Sequence, residues 1–452
     1  MCRPKPPLAP RCAPLRRHEQ CRGEKSPCRT PARSTALIGL NLTQRCAEEP
    51  AMPQYQTPID LSSVRRPVAT ANGLPNAHYT DPDVFKSESR AVLHASWAGF
   101  AVAADVPENG DAKPLEFLGI PLLLLRDKNG DVRVFQNICR HRGMILVDSA
   151  RKIEGAIRCP YHSWCYSTKG ALVSTPHVGG PGHNTHDAIV KDDLGLIEVR
   201  SHIWRDVVFI NLDGDADAFE VVNADLIARW HEHTAPMYHG GADSTFALDV
   251  TCNWKLAVEN YAESYHLPWI HPGLNSYSRL EDHYHIEQPI SSSGARSASK
   301  TGSAIGTGAF SGQGTLVYRQ LTGDEGATFP DFAGLSDKWD EGAEYVCLYP
   351  NVLLAAQREH AYAILLEPID TNHTIEHVHI YYASPDTDAA LRTRNTAQWK
   401  EVFEEDIGVV EGMQKGRAAI GFDGGRFSPA MDSPTHCFHD WVAAKMGAQA
   451  GT

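Results

Sequence analysis

The sequence predicts an α+β protein, and three observations carry that reading. Short apolar runs split by turn dipeptides occupy residues 96–212, longer runs of strand character occupy 344–383, and a long amphipathic helical pattern follows them. The chain has 452 residues and is 42 % hydrophobic. That is enough to bury a large core and more than one domain usually holds, so two domains are expected. No apolar run approaches the roughly 20 residues needed to cross a bilayer. A soluble protein is therefore expected.

The first 51 residues differ from the rest. They hold ten Lys/Arg against four Asp/Glu, eight of the 29 prolines and five of the 11 cysteines, with neither helix nor strand periodicity. The reading is a disordered or mis-started extension with Met52 as functional start. A transit peptide would also be basic, but it would be acid-poor and amphipathic. The whole chain carries −13 and this segment +6, which leaves −19 on the remainder. Such a charge argues against nucleic acid as partner and favours cationic ones. The extension's cysteines show no repeated ligand spacing, and the other six suit reduced thiols in a cytoplasm.

In "GIPLLLLRDKNGDVRVFQNIC" two apolar runs flank Asn129-Gly130, a dipeptide suited to a tight hairpin turn. "AIRCPYHSWCYSTKGALV" repeats the pattern with a turn at Lys169-Gly170, and "SHIWRDVVFINLD" supplies a further hairpin. Between them stand Cys139-x-His141 and Cys159-x-x-His162. Each pair lies at a hairpin end, where two loops can close on a metal from either side. Zinc accepts Cys₂His₂, but usually with Cys beside Cys and His beside His. A [2Fe–2S] cluster of Rieske type takes two thiolates on one iron and two imidazoles on the other, so each loop supplies one of each. Mixed pairs satisfy that geometry. These residues resemble the Rieske centre of ring-hydroxylating oxygenases, usually C-x-H-R-G and C-P-Y-H-G-W. This chain departs at Ser163, where the family usually has Gly. Cys165 is read as a packed thiol.

A second motif opens the remaining 240 or so residues: "CNWKLAVENYAESYHLPWIHPGL", 252–274. A helix beginning near Trp254 would bring Glu259, Glu263 and His266 close to one face. His271 does not fit an ideal helix, but Pro268 can reroute the chain and bring both imidazoles to one ion. Two histidines with a carboxylate and open positions form the facial triad of non-haem Fe(II) oxygenases. In the helical pattern "TAQWKEVFEEDIGVVEGMQKG" the apolar stripe runs through Trp399, Val402, Phe403, Ile407, Val410 and Met413. Asp406 falls inside it, and a buried carboxylate needs a compensating charge. Asp406 is thus the expected third ligand, with Glu405 as its rival.

The resemblance extends from about Trp97 to Val442. With the extension 1–51 set apart by its composition, the expected division is a helical part 52–95 packing on the catalytic domain, a Rieske domain 96–212, and a catalytic domain 213–452 for which the resemblance implies an antiparallel sheet wrapped around a long C-terminal helix (helix-grip). The resemblance implies mono- or dioxygenation, with electrons from NAD(P)H through a separate reductase, and a homotrimer. It also implies that Glu263, where most members have Asp, bridges the iron site to a cluster histidine of the neighbouring subunit. Glu at that position is associated with the branch acting on quaternary ammonium compounds, similar to stachydrine and betaine demethylases and carnitine and choline oxygenases. The expected substrate is a betaine-type acid held by aromatics such as Tyr265, Trp269, Tyr277, Tyr284 and Tyr345, with aromatic-ring or aryl-carboxylate hydroxylation as alternative and a non-catalytic iron–sulfur or zinc protein as a distant one. Glu259 is expected to pack on the same helix. Residues 291–315, dense in Gly, Ser and Ala, are read as a mobile loop that could order over substrate.

Overall fold

The structure is a computed structural model that describes residues 59–287, 309–319 and 328–449. The expected extension lies outside these residues, as does most of the expected loop 291–315. The part of that loop inside them is a correction: Phe310–Thr315 is a fully buried strand. It pairs on one side with His283–Glu287 and on the other with Ala343–Leu348. Its small residues permit that close approach. A Cβ on Gly312 would stand 2.1 Å from the Tyr345 carbonyl oxygen.

The first half of the described chain forms a seven-stranded antiparallel sheet, from Ala98–Val102 at one edge to Arg151–Lys152 at the other, and a three-stranded sheet of Ala156–Arg158, Cys165–Ser167 and Leu172–Ser174. The turn residues act as the sequence suggests. Gly130, between strands Ile120–Arg126 and Val132–Gln136, takes a φ of +96°, which only glycine adopts without strain. Arg205 and Asp206 both take positive φ and join Glu198–Trp204 to Val207–Asn211, as the right-handed strand twist favours in a two-residue hairpin.

The second half is built on a larger antiparallel sheet whose long strands are Val352–Ala356, His360–Asp370 and His373–Tyr382. Helix Ala389–Gly416 packs on it, with Trp399, Phe403 and Val410 in one core with Val378, Ile380 and Tyr382. Each such side chain contributes about 1.5–3 kcal/mol on full burial. The helix begins before the expected Thr396 because Asp388 caps it, accepting the Leu391 N–H at 2.9 Å. A further helix, Ser433–Gln449, was not expected. It mixes buried Phe438, Trp441 and Val442 with buried His439 and Asp440, so no clean apolar stripe marks it.

Residues 59–95 are tied to the second half by buried charge. Lys255 Nζ lies 2.5 Å from Glu88 Oε1, and His78 Nδ1 lies 2.9 Å from Glu88 Oε2. Both Glu88 and Lys255 are 0 % exposed. Burial alone would raise the Glu88 pKa, but Lys255 and His78 hold it below its ordinary value. That stabilisation is complete above the unfolded-state carboxylate pKa, about 4.3, and is lost as pH falls through the folded value. Replacing Lys255 with Met strands the carboxylate, and denaturant unfolding is expected to register a loss of about 3–5 kcal/mol.

Candidate metal centres

The helix opening at Trp254 ends at Tyr261, earlier than the sequence suggests. Glu263 and His266 therefore stand beyond it, and the single shared face with Glu259 does not form. Glu259 turns instead into the core, accepting the Tyr79 hydroxyl at 2.5 Å beside His439 and Arg417. A one-turn helix, Leu267–Ile270, follows with Pro268 in its first turn, and His266 and His271 flank it. Pro272 adds a constraint the sequence argument omitted: it disfavours αR at His271, whose φ and ψ are −116° and 62°. The result puts the two imidazole centroids 5.2 Å apart.

Asp406 reaches the same point from the long helix. Its Oδ1 lies 3.1 Å from His271 Nε2 and 3.8 Å from His266 Nε2, and one donor atom from each of the three residues falls within 4.8 Å of the others. Among the described residues this is the only group of three or more His, Cys, Asp or Glu so placed. Each ring is oriented from behind by a carboxylate. His266 Nδ1 meets Glu263 Oε1 at 2.7 Å, and His271 Nδ1 meets Glu405 Oε2 at 2.6 Å. Such contacts fix the tautomer and leave both Nε2 lone pairs free to take a cation. Glu405, the rival ligand, thus stands on the far nitrogen of His271. Burial pulls the His271 pKa down, but Asp406 and Glu405 outweigh it and hold the pKa above its ordinary value. Two imidazoles and one carboxylate with an open side fit a ferrous ion.

The other four candidates gather at the tips of two loops with one backbone pattern. Cys139 N–H bonds the Met144 carbonyl and Gly143 N–H the Cys139 carbonyl; Cys159 N–H bonds Trp164 and Ser163 N–H bonds Cys159. Cys139 and Cys159 are buried, and the His141 and His162 rings are 4.7 Å apart. Burial raises the Cys139 thiol, and the adjacent Cys159 raises it further, so two thiolates side by side call for cations between them. Burial and His162 hold His141 below its ordinary pKa, which keeps its ring neutral as a ligand must be. His162 Nδ1 is buried with no hydrogen-bond partner, as suits a nitrogen that binds metal. The set fits a [2Fe–2S] cluster.

Two further residues bear on that cluster. Ser163 takes φ +56° where its counterpart on the other loop is Gly143 at +70°, so it keeps the turn at a cost. Ser163→Gly is expected to stabilise the loop by about 1 kcal/mol, read from the denaturant midpoint of cluster loss. Its carbonyl accepts the Cys165 thiol at 3.2 Å, so Cys165 packs rather than ligates. Tyr166 was missed. Its hydroxyl accepts the Arg140 N–H at 3.0 Å and lies 3.2 Å from Cys139 Sγ, where its own proton can reach the sulfur. Tyr166→Phe is expected to lower the cluster potential by about 20–60 mV, the worth of one hydrogen bond, measured by redox titration.

The pocket beside the triad is lined by Tyr261, Tyr318, Tyr345, Tyr362, Trp399 and Phe403. Of the expected aromatics only Tyr345 is among them. Tyr265 and Trp269 are exposed at 42 % and 68 %, Tyr284 bonds Glu344, and Tyr277 packs against the Arg319 guanidinium. Trp399 and Phe403 precede Asp406 by seven and three residues on one helix face, a signal the sequence contains.

The Ring hydroxylating alpha subunit (catalytic domain) family matches residues 227–448, and the Rieske [2Fe-2S] domain family matches residues 96–189. The chain belongs to the Rieske-type ring-hydroxylating oxygenases. It is 24 % identical over 359 residues to the carnitine monooxygenase oxygenase subunit of Acinetobacter pittii (strain PHEA-2), spanning 77 % of this chain and 86 % of that one. It is 24 % identical to chloroplastic choline monooxygenase of Arabidopsis thaliana over 82 % of each chain. In fold it is similar to a quaternary ammonium Rieske monooxygenase (TM-score 0.67, 20 % identity, 86 % of this chain and 99 % of that one). As a member of this family the oxygenase is an oxidoreductase that works with a [2Fe–2S] cluster and a mononuclear iron. Among its described residues no helix is long and apolar enough to cross a membrane.

Proposed function

We propose that this oxygenase removes an N-methyl group oxidatively from a small betaine-type quaternary ammonium acid. The observation that carries the reading is the pocket, in which Tyr345, Tyr362, Trp399 and Phe403 stand beside His266, His271 and Asp406. Aromatic faces attract a methylated cation through its charge and bury its methyls as apolar surface. In this reading Cys139, His141, Cys159 and His162 hold the cluster, and His266, His271 and Asp406 hold the iron. When bound, the iron supplies activation of O₂ with electrons from the cluster. The protein's own part is orientation. Glu263 and Glu405 keep both rings turned with Nε2 inward, the aromatic walls exclude water, and Asn260 steadies Asp406 from 3.2 Å. Hydroxylation of one methyl consumes O₂, two electrons and two protons and releases water; the carbinolamine then parts into formaldehyde, a tertiary amine and a proton.

The same reading makes Glu263 a bridge between subunits of a homotrimer, with electrons from NAD(P)H through a separate flavin and iron–sulfur reductase, in the cytoplasm. It divides the chain into a Rieske domain 96–212 and a catalytic domain 213–452. Exposed apolar residues support the subunit contact. Met144, Ile145 and Tyr161 surround the cluster loops, and Tyr265 and Trp269 lie beside Glu263. All six described cysteines are unpaired, as a reducing compartment favours.

Reconstituted enzyme incubated with reductase and proline betaine, carnitine, choline or glycine betaine is expected to release formaldehyde. Absence of release from every one of these, together with turnover of benzoates, would establish the aryl-carboxylate alternative.

A further inference from the structure

Behind the aromatic wall lies a carboxylate that the reaction above does not use. Glu359 follows strand Val352–Ala356 and immediately precedes strand His360–Asp370, and it is 1 % exposed. Its Oε1 lies 3.2 Å from His360 Nδ1, and the Tyr318 ring centroid is 6.2 Å from that of His360. His360 is fully buried, and its Nε2 lies 2.8 Å from Trp399 Nε1. An indole nitrogen only donates, so His360 Nε2 accepts, Nδ1 carries the ring's proton toward Glu359, and the ring is neutral. The hydrogen-bond partner of the carboxylate is therefore uncharged. The adjacent Arg358 is committed to Asp331 and Asp340, and among the described residues no Lys or Arg pairs with Glu359. A buried carboxylate without a countercharge is costly.

The residues around it point to what supplies that charge. His360, which carries Glu359 behind it, stands 6.2 Å from Tyr318 between ring centroids and accepts from Trp399, and the Trp399 ring is in turn 6.2 Å from that of Tyr345. All three line the pocket beside the triad. A quaternary ammonium has no N–H, so it gains nothing from an acceptor at hydrogen-bond distance. Ring faces with a negative charge set behind them suit it.

We infer that Glu359 is the fixed countercharge of the substrate site, acting through Tyr318, Tyr345 and Trp399 to favour a quaternary ammonium over a neutral group of the same shape. The inference rests on the proposed betaine substrate and adds the residue that sets the preference. Glu359 does not touch the reacting carbon; it is a specificity-determining residue set behind the wall.

The test compares, by isothermal titration calorimetry on the enzyme with both metal centres loaded, a trimethylammonium carboxylate with its carbon isostere, in which a tert-butyl group replaces the trimethylammonium. The wild type is expected to prefer the cation by about tenfold or more. Glu359→Gln keeps the size and an acceptor for the neutral His360 ring. It is expected to lose most of that preference by weakening the cation alone, with KM for the betaine rising and kcat nearly unchanged, while Glu359→Asp restores the preference. A wild type with no preference for the cation overturns the inference without any variant, and a Gln variant that discriminates like the wild type overturns it while leaving the betaine substrate standing. A wild type that ignores betaines and turns over benzoates removes the substrate reading and this inference together.

Discussion

Asp406→Ala leaves the [2Fe–2S] cluster in place and empties the mononuclear site, so iron is expected to fall from about three to about two per chain and oxygenation to cease. Glu405→Ala is the informative companion. Asp406 Oδ1 faces both Nε2 atoms, whereas Glu405 meets only His271 Nδ1. Loss of a partner behind a ligand costs roughly 10–100-fold in metal affinity, so Glu405→Ala should bind iron weakly and recover activity when ferrous ion is raised. Asp406→Ala should not recover, because two imidazoles alone leave the ion without a compensating charge. Iron analysis after desalting, with the cluster's visible absorption as internal standard, separates the two. Full iron retention in Asp406→Ala, or a deeper loss in Glu405→Ala, would exchange their roles.

The residues that carry this contrast show where sequence reasoning reaches and where it stops. Asp406 was legible because helical periodicity is regular: a carboxylate inside the stripe from Trp399 to Met413 stands out against Glu401 and Glu404, which are exposed. The cluster loops were legible because their turns are chemical, a glycine or a dipeptide at each hairpin. The two histidines were legible as a pair that the chain can bring together, but not as geometry. The sequence extends the helix through Glu263 because nothing local stops it at Tyr261; Glu259 packs as expected, but its partners Tyr79, Arg417 and His439 lie about 160 to 180 residues away in sequence and could not be named from it. The pocket failed for a similar reason. Tyr318, Tyr345 and Tyr362 come from three separate segments of the chain; strands pair Tyr345 and Tyr362 to either side of Ala355, and Tyr318 follows strand Phe310–Thr315 with its N–H on the Glu341 carbonyl. Residues near a motif in sequence, such as Tyr265 and Trp269, point outward instead. The Gly/Ser-rich stretch misled because glycine marks both loose loops and strands packed too closely for a side chain, and at Gly312 the second meaning holds.

Glu263→Gln is expected to retain both metal centres and lose about a hundredfold in turnover, the upper end of what an outer partner of a metal ligand costs. The carboxylate is held at three points: the His266 ring on Oε1, and the backbone N–H groups of Tyr265 and His266 on Oε2. Gln313 fixes its backbone from the neighbouring strand by donating to the Glu263 carbonyl at 3.2 Å. A glutamine can still accept from His266 through its amide oxygen, although its NH₂ then faces the two backbone N–H groups, so iron binding should weaken by about tenfold rather than be lost. What it cannot do is present an acceptor with each oxygen. One oxygen is needed toward His266 and one toward a donor arriving from outside, and the side chain is only 14 % exposed, open enough for one such approach. If Glu263 serves as a bridge between subunits, reduced cluster should persist in the Gln variant while product forms slowly, and Glu263→Asp should recover a part of the rate. Rapid mixing of pre-reduced enzyme with substrate and O₂ reads cluster oxidation and product in one experiment. Unchanged cluster oxidation in the Gln variant rejects the bridge, and loss of iron in step with turnover reduces Glu263 to a support for His266. In either case the proposed contact between subunits would have to deliver electrons by another route, since the carboxylate would then serve one chain alone.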